Sequence, residues 1–364
     1  MYTSKRRLGK MLSVGFVILF AALVFCFNVQ YTFAQMPVKL KAAAVFPPPE
    51  SSMMSEVMKI WQDEVTKRTK GQITFETYWG CSLGAPAEHI ELLKSGVVQV
   101  AQFYEWYTPG KLPIGDFEYV FPFSPVDSEI MLKSLRQIRS EFPQFYQDHT
   151  KQNIKMMLDA PGATNDIMST VPLRTVDDFK GIKVAIIHRY FGRWLPPGAT
   201  AVTRPAQDRY DLLRSVVVQA NSLPFELQYA FKIHEVTKYF IRADMISGSY
   251  APVFMNLDTF KKFSPEIQKI LLEAGRDTEL KTVKEILPRW WDKCFKVWNA
   301  AGIQFLEFSK EEKRKWAEMI EDTTIEWAAE VEGKGYPGSK IVQRWQEITS
   351  EFGHEWPRKW GIKK

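Results

Sequence analysis

Several residue spacings in this chain match catalytic signatures closely enough to test against the chemistry they would serve. Gly333, Gly335 and Gly338 stand at the spacing of a dinucleotide-binding fingerprint. That fingerprint needs a strand before it and a helix opening at its last glycine. Here a polar helical stretch precedes the glycines and Pro337 sits among them, so the segment reads as a surface loop. His234-Glu235 begins like the zinc helix of a metalloprotease, but Lys238 occupies the place of the second histidine. His89 and Glu91 have no partner cysteines, and the five histidines, at 89, 149, 188, 234 and 354, are scattered. Cys81 is the remaining nucleophile candidate, the thiol of an exported hydrolase. No catalytic residue, metal ligand or cofactor site is therefore expected.

Binding chemistry has better material. Phe46, Trp79, Phe103, Tyr104 and Trp106 fall at the carboxyl ends of expected strands, where ligands of open α/β sheets sit. A single aromatic there is more often core than pocket, but five together make a ring-stacking site. Glu105 among them would suit an amine, although a solvated acid is the simpler reading.

The elements that position these rings follow from periodicity. Val38, Leu40, Ala42 and Ala44 alternate as a strand that stops at Pro47-Pro48-Pro49. Ser51 or Ser52 caps a helix with the apolar stripe Met54, Val57, Met58, Trp61 and Val65, and Gly71 ends it. Ile73 and Phe75 begin a second strand, Ile90 and Leu93 mark a short helix, and Val97–Phe103 is a third strand. This βαβαβ order predicts a parallel α/β unit. A second unit follows: strand Ile182–Ile187, helix Gln207–Arg214, strand Val216–Gln219, a helix from Pro224 to His234, and a strand near Met245–Tyr250. Beyond it, Ser264–Ala300 is a helical region broken at Pro288. Ser309 and Glu312 form a capping box for a helix running from Lys310 to Val331. The fold class is α/β, with two units and a helical C-terminal third.

Lys5, Arg6, Arg7 and Lys10 precede an uncharged apolar run from Met11 to Phe27, and Thr32-Phe33-Ala34 offers a cleavage site before Gln35. That order is a signal peptide over residues 1–34. The alternative is an uncleaved membrane anchor, since the run approaches the ~18 residues a spanning helix needs. Removing 34 of the 364 residues leaves 330, enough for two lobes. The net charge of +6 comes mostly from the leader, whose four cations have no acid among them; the remainder carries 44 basic against 42 acidic groups. Nucleic acid binding has no electrostatic footprint in that balance. Cys26 leaves with the leader. Cys81 and Cys294 remain, and a bond between them stays open, with two separate thiols the plainer reading.

Trp61-Gln-Asp-Glu-Val-Thr-Lys-Arg-Thr-Lys-Gly71 resembles the first helix of TRAP (tripartite ATP-independent periplasmic) transporter solute-binding proteins, the dicarboxylate type. Tyr78-Trp-Gly-Cys-Ser-Leu83-Gly84, Leu92-Leu-Lys-Ser-Gly96, Val176-Asp-Asp-Phe-Lys180-Gly181-Ile-Lys183-Val and Phe263-Ser-Pro-Glu-Ile-Gln are similar to later segments of that family, in the same order. The resemblance implies a non-enzymatic, two-lobe periplasmic-binding-protein fold, type II-like, closing on a hinge. Its discontinuous lobes would be residues 36–162 plus 251–290 and residues 163–250 plus 291–364. It also implies a small organic solute, aromatic or acidic, delivered in the periplasm to the small and large membrane subunits of an ion-gradient-driven transporter. A sensory or chaperone-like binder on the same fold is the alternative. By register, Asn165, Asp166, Asn221, Phe225 and Tyr250 fall at cleft positions.

The chain departs from the family where a carboxylate would be gripped. A typical member has an arginine directly after the Lys180–Val184 segment, and this chain has Ala185. A second arginine of some members corresponds to Asn165. A guanidinium makes two parallel charge-assisted hydrogen bonds to a carboxylate, and stranding the anion costs roughly 2–5 kcal/mol. Either the ligand has no carboxylate at that spot, or another cation takes over. Arg189 is the first candidate and Arg204 the second, with solvent exposure the competing reading for both. On a straight strand Arg189 would lie roughly 13 Å beyond Ala185, so a turn at His188 would have to bring it back.

Overall fold

The computed structural model describes residues 37–186, 190–245, 247–249 and 252–362. The leader, Arg189 and Tyr250 lie outside these residues. Strand β1 (Val38–Ala44) is followed by helix α1 (Met53–Arg68), β2 (Ile73–Tyr78), α2 (His89–Lys94) and β3 (Val100–Gln102). The Ser52 hydroxyl caps α1 by accepting the Ser55 N–H at 3.4 Å, and Lys67 and Arg68 meet the negative end of the helix dipole. Gly71, at φ +81°, completes the left-handed exit that a side chain would resist. β1 pairs in parallel with both β2 and β3, as the βαβαβ rhythm predicts.

The chain continues through α3 (Ser128–Glu141), α4 (Gln144–Lys151) and β4 (Ile154–Leu158), then β5 (Asn165–Ser169), β6 (Lys183–Ile186) and β7 (Thr200–Thr203). Next come α5 (Arg209–Arg214), β8 (Ala220–Pro224), α6 (Phe225–Ala230), β9 (Tyr239–Arg242) and β10 (Val253–Asn256). The last third holds α7 (Leu257–Lys262), α8 (Pro265–Lys281), α9 (Leu287–Ala300), β11 (Gln304–Glu307), α10 (Lys310–Met319), α11 (Thr323–Glu332) and α12 (Gly338–Glu351).

Two sheets result, ordered β2-β1-β3-β10-β4 and β11-β9-β5-β8-β6-β7. Each contains one strand antiparallel to both neighbours: β10 lies between β3 and β4, and β5 between β8 and β9. β10 reaches the first sheet only after the chain has built most of the second, so each sheet is assembled from discontinuous sequence. From Val38 onward the elements form one compact unit. Helices cover the sheets with large apolar side chains; Trp61 of α1 is fully buried and donates its indole N–H to the Leu271 carbonyl of α8 at 3.1 Å. Trp345 of α12 meets Phe117 edge-on, and Arg344 holds Glu141 of α3.

Several boundaries differ from the sequence expectation for identifiable reasons. The third strand shortens to Val100–Gln102 because the left-handed Gly96 puts Val97 on an exposed turn. Val216–Gln219 is not a strand: Val216 sits at φ +59°, and the N–H groups of Val216 and Val217 close the end of α5 on Leu213 and Leu212. The strand expected near Met245–Tyr250 is Tyr239–Arg242, and an isolated bridge between Pro161 and Ser249 is what pairs farther on. The Ser264–Ala300 region loosens at a π segment, Thr282–Ile286, just before Pro288. Proline has no N–H for the preceding turn, which accounts for the widening there. Ser309 caps α10 as expected, but Glu312 spends its carboxylate on the Val176 N–H instead of closing the box, and the helix ends at Met319. Gly333 and Gly335 lie in the turn joining α11 to α12, as the surface-loop reading requires, whereas Gly338 is buried and opens α12; a helix and not a strand precedes them, so the dinucleotide fingerprint still fails.

Candidate functional site

A cavity of about 480 Å³ opens where strands of both sheets end. The first sheet contributes Val45, Phe46 and Pro47 after β1, Gly80 and Cys81 after β2, and Tyr104, Trp106 and Tyr107 after β3. The second contributes Asn165 from β5, Leu223 and Pro224 from β8, Leu227 and Phe231 around α6, and the loops carrying Phe191 and Pro205–Gln207. Pro86, Tyr119, Ala163, Ser247 and Gly248 complete the described wall. Strand ends are where an open sheet leaves room between diverging loops, so this is the expected place for a ligand. A wider groove of about 1010 Å³ runs along α11 and α12, but it contains none of the sequence-predicted residues.

Tyr104 is the hub of the aromatic wall. Its ring stacks on Trp106 at 5.4 Å, takes Phe46 edge-on at 5.5 Å, and meets Tyr107 and Tyr119 at 5.8 and 6.3 Å. Burial holds the phenols of Tyr104, Tyr107 and Tyr119 well above the ordinary tyrosine range, so all three stay neutral. No Lys, Arg, Asp or Glu is among the described lining residues.

Beneath the wall lies a charged cluster. Arg139 pairs with Asp159 and stands 3.9 Å from Glu105, whose other oxygen meets His149. The Ser249 hydroxyl donates to Asp159, the Ser249 N–H to Glu118 at 3.2 Å, and Tyr119 donates to the Ser249 carbonyl. These bonds tie the segment carrying Ser247 and Gly248 to the first sheet. Burial pushes the Glu118 carboxyl up to about 7, with Arg139 opposing. A Cβ on Gly248 would meet Glu118 at 2.8 Å, so a glycine lets the backbone approach this cluster.

Of the predicted site residues, Phe46, Tyr104, Trp106 and Asn165 line the cavity. Phe103 does not: successive side chains on a strand face opposite ways, and Phe103 is buried on the other side, stacked on Phe254 at 4.8 Å. Trp79 packs half-buried against the main core. Asp166 accepts the N–H groups of Ala243 and Asp244 and the Thr164 hydroxyl; desolvation, with Asp244 adding to it, raises its carboxyl to about 6. Asn221 donates to Gln228 at 3.3 Å, and Phe225 packs edge-on against Trp291 at 5.0 Å. Each is occupied in holding the fold. Glu105 belongs to the Arg139 cluster, and Arg204 is exposed, donating to the Thr203 carbonyl. Tyr107, Tyr119, Phe191, Phe231, Gln207 and Ser247 were not foreseen; Tyr107 alone shared the strand-end signal, while tertiary folding brings in the others.

Among the described residues the hydrolase reading finds no machinery. Cys81 sits at φ +61° with its thiol donating to the Val45 carbonyl at 3.4 Å, and burial raises its pKa, the reverse of an activated nucleophile. Cys81 and Cys294 are both free thiols. Gly80-Cys81-Ser82-Leu83-Gly84 also has the spacing of a nucleophile elbow, but the positive φ falls on Cys81, and Ser82 is exposed with no bond to a described histidine. Among the described residues no group of three or more His, Cys, Asp or Glu side chains could hold a metal. Nor is any helix among them long and apolar enough to cross a membrane.

Residues 43–330 match the family described as bacterial extracellular solute-binding protein, family 7. The chain belongs to this family. A solute-binding protein of Sulfitobacter sp. (strain NAS-14.1) is 23% identical over 318 residues, covering 82% of this chain and 89% of the relative. A TRAP periplasmic solute-binding protein from Desulfovibrio salexigens, solved as an open complex, superposes with a TM-score of 0.74 at 22% identity, covering 87% of this chain and 97% of that one. A marine metagenome TRAP protein specific for aromatic acid ligands, solved with 3-hydroxybenzoate, gives a TM-score of 0.73 at 23% identity, covering 88% and 100%. The family member described here thus has the two-lobe periplasmic-binding fold, with its cavity at the strand ends of both sheets.

Proposed function

We propose that this chain is a non-enzymatic solute receptor. It is exported with residues 1–34 removed, captures a small organic solute in the periplasm, and delivers it to the small and large membrane subunits of an ion-gradient-driven TRAP transporter. The observation that carries the reading is the aromatic-walled cavity at the strand ends of both sheets, in a chain of the extracellular solute-binding family. The proposed lobes are residues 36–162 with 251–290 and residues 163–250 with 291–364. Strand membership supports them, since β1–β4 and β10 share one sheet while β5–β9 and β11 share the other. Closure would bend the crossings near residues 162–163, 250–251 and 290–291. The 3-hydroxybenzoate held by the marine relative supports a ring-bearing ligand.

The test is a thermal-shift screen of residues 35–364 against organic acids, neutral aromatics, sugars and amines. A ligand at a hundred times its Kd stabilises by about 2.7 kcal/mol, which a melt resolves. Stabilisation by one chemical class supports the receptor reading; no shift with any class removes it.

A further inference from the structure

Resting on that receptor reading, we infer that the cavity selects an uncharged aromatic ligand carrying an O–H or N–H donor, in preference to the carboxylate of the same ring. The described wall offers the rings of Phe46, Tyr104, Trp106 and Tyr119 and no charged side chain. An ion placed against such a wall exchanges its water for apolar surface without an opposite charge to offset the loss. A neutral ring has no such penalty and gains stacking contacts. About 480 Å³ accommodates a substituted ring and lies within the usual range of ligand sites.

The polar atoms on the wall narrow the choice further. Asn165 Oδ1 and Ser247 Oγ are buried, have no hydrogen-bond partner, and belong to cavity-lining residues. Buried polar atoms are nearly always paired, so two orphans on one wall point to groups that a ligand supplies. Asn165 Oδ1 can only accept, and a serine hydroxyl accepts as readily as it donates. A ligand O–H or N–H satisfies Asn165 Oδ1. By chain position the guanidinium next to the Pro205–Gln207 wall is Arg204, which is exposed and donates to the Thr203 carbonyl at 3.2 Å, while Arg209 on the far side of that segment is fully buried. The Arg209 Nη2 donates to the Arg204 carbonyl at 2.8 Å, and Arg209 is not among the described lining residues.

The experiment is calorimetric titration of residues 35–364 with three near-isosteric probes at pH 7: 3-hydroxybenzamide, 3-hydroxybenzoate and 3-hydroxybenzylamine, which are neutral, anionic and cationic. Benzamide, benzoate and benzylamine form a second series that removes any clash from the ring hydroxyl. The amide is expected to bind at least about tenfold more tightly than the acid. Asn165→Ala should weaken amide binding about fivefold or more while its melting temperature without ligand stays within a few degrees of wild type. An acid that binds as tightly as the amide overturns the inference; loss of that acid binding in Arg189→Ala or Arg209→Met would then locate the replacement cation. An amine that binds tightest overturns it in favour of a cation site, and amide affinity unchanged in Asn165→Ala overturns the hydrogen-bond assignment. If neither series binds while another solute class does, this inference fails and the receptor reading stands; if nothing binds, both fail.

Discussion

Tyr104 and Trp106 stack with ring centroids 5.4 Å apart and 26° between their planes, yet they differ in what else they hold. Tyr104 is 8% exposed, touches four other cavity-wall rings and donates its hydroxyl to the Met54 sulfur at 3.4 Å. Truncating it to alanine would cost about 3–5 kcal/mol of stability, so a binding loss there would be ambiguous. Trp106 is half-buried and separates the two effects. Trp106→Ala is expected to weaken ligand binding about tenfold or more with little change in the melt of the free protein. Wild-type affinity in that variant would take Trp106 out of the site.

The Arg139 cluster should dominate the response to charge removal. Arg139 is the cation set among Glu105, Glu118 and Asp159, and its side chain is 4% exposed. Breaking a buried pair by removing one partner costs about 3–5 kcal/mol, so Arg139→Met should sharply lower the urea midpoint. Lys310→Met is the control: its pair with Glu355 lies almost wholly in solvent, and the midpoint should not move. Equal midpoints in the two variants would mean the buried cluster contributes no more than a surface ion pair.

What sequence made legible, and what it hid, follows from how local the cause is. β1, β2 and α1 were readable because alternation, a serine cap and a left-handed glycine all act within a few residues. β10 was not, because its pairing with β4 and β3 depends on chain about 100 and about 150 residues away. The three valines at 216–218 mislead for the opposite reason: a β-branched run suggests a strand, but it is spent closing a helix end. Asp127 caps α3 through two backbone N–H bonds, a local signal that was present and unread. In the site, Phe46, Tyr104 and Trp106 could be found because strand ends are predictable. Phe103 could not be separated from Tyr104 without knowing which face of the strand meets the cavity. Phe191 and Phe231 reach the wall from turns in distant sequence, for which no periodicity exists.

Cys81 offers a readout of occupancy. Its half-buried thiol lines the cavity, while Cys294 on α9 is fully buried. In native protein comprising residues 35–364 one thiol should react slowly with iodoacetamide, and both should react after unfolding. Saturating ligand should slow the native reaction several-fold, and Cys81→Ser should abolish it while retaining ligand binding. A native rate indifferent to bound ligand would place the ligand elsewhere.

Stability should fall as the pH rises, and Glu226 should be the largest single cause. Its side chain is buried on α6; desolvation pushes its pKa up to about 8, although the N–H groups of Glu226 and Leu227 favour the ion without meeting hydrogen-bond geometry. Glu118, at about 7, and Asp166, at about 6, are raised in the same direction. A carboxyl with a raised folded pKa holds its proton in the native state over a range where the unfolded chain has released it. Its contribution is therefore fully present below the ordinary carboxylate pKa and lost as the pH rises through the folded value. Glu226→Gln stays neutral at every pH, so its melting temperature should gain on the wild type's between about pH 5 and pH 9. Melts of both proteins across that range measure the gap directly. A gap that stays constant would mean Glu226 titrates as it does in water, and the pH dependence would then fall to Glu118 and Asp166.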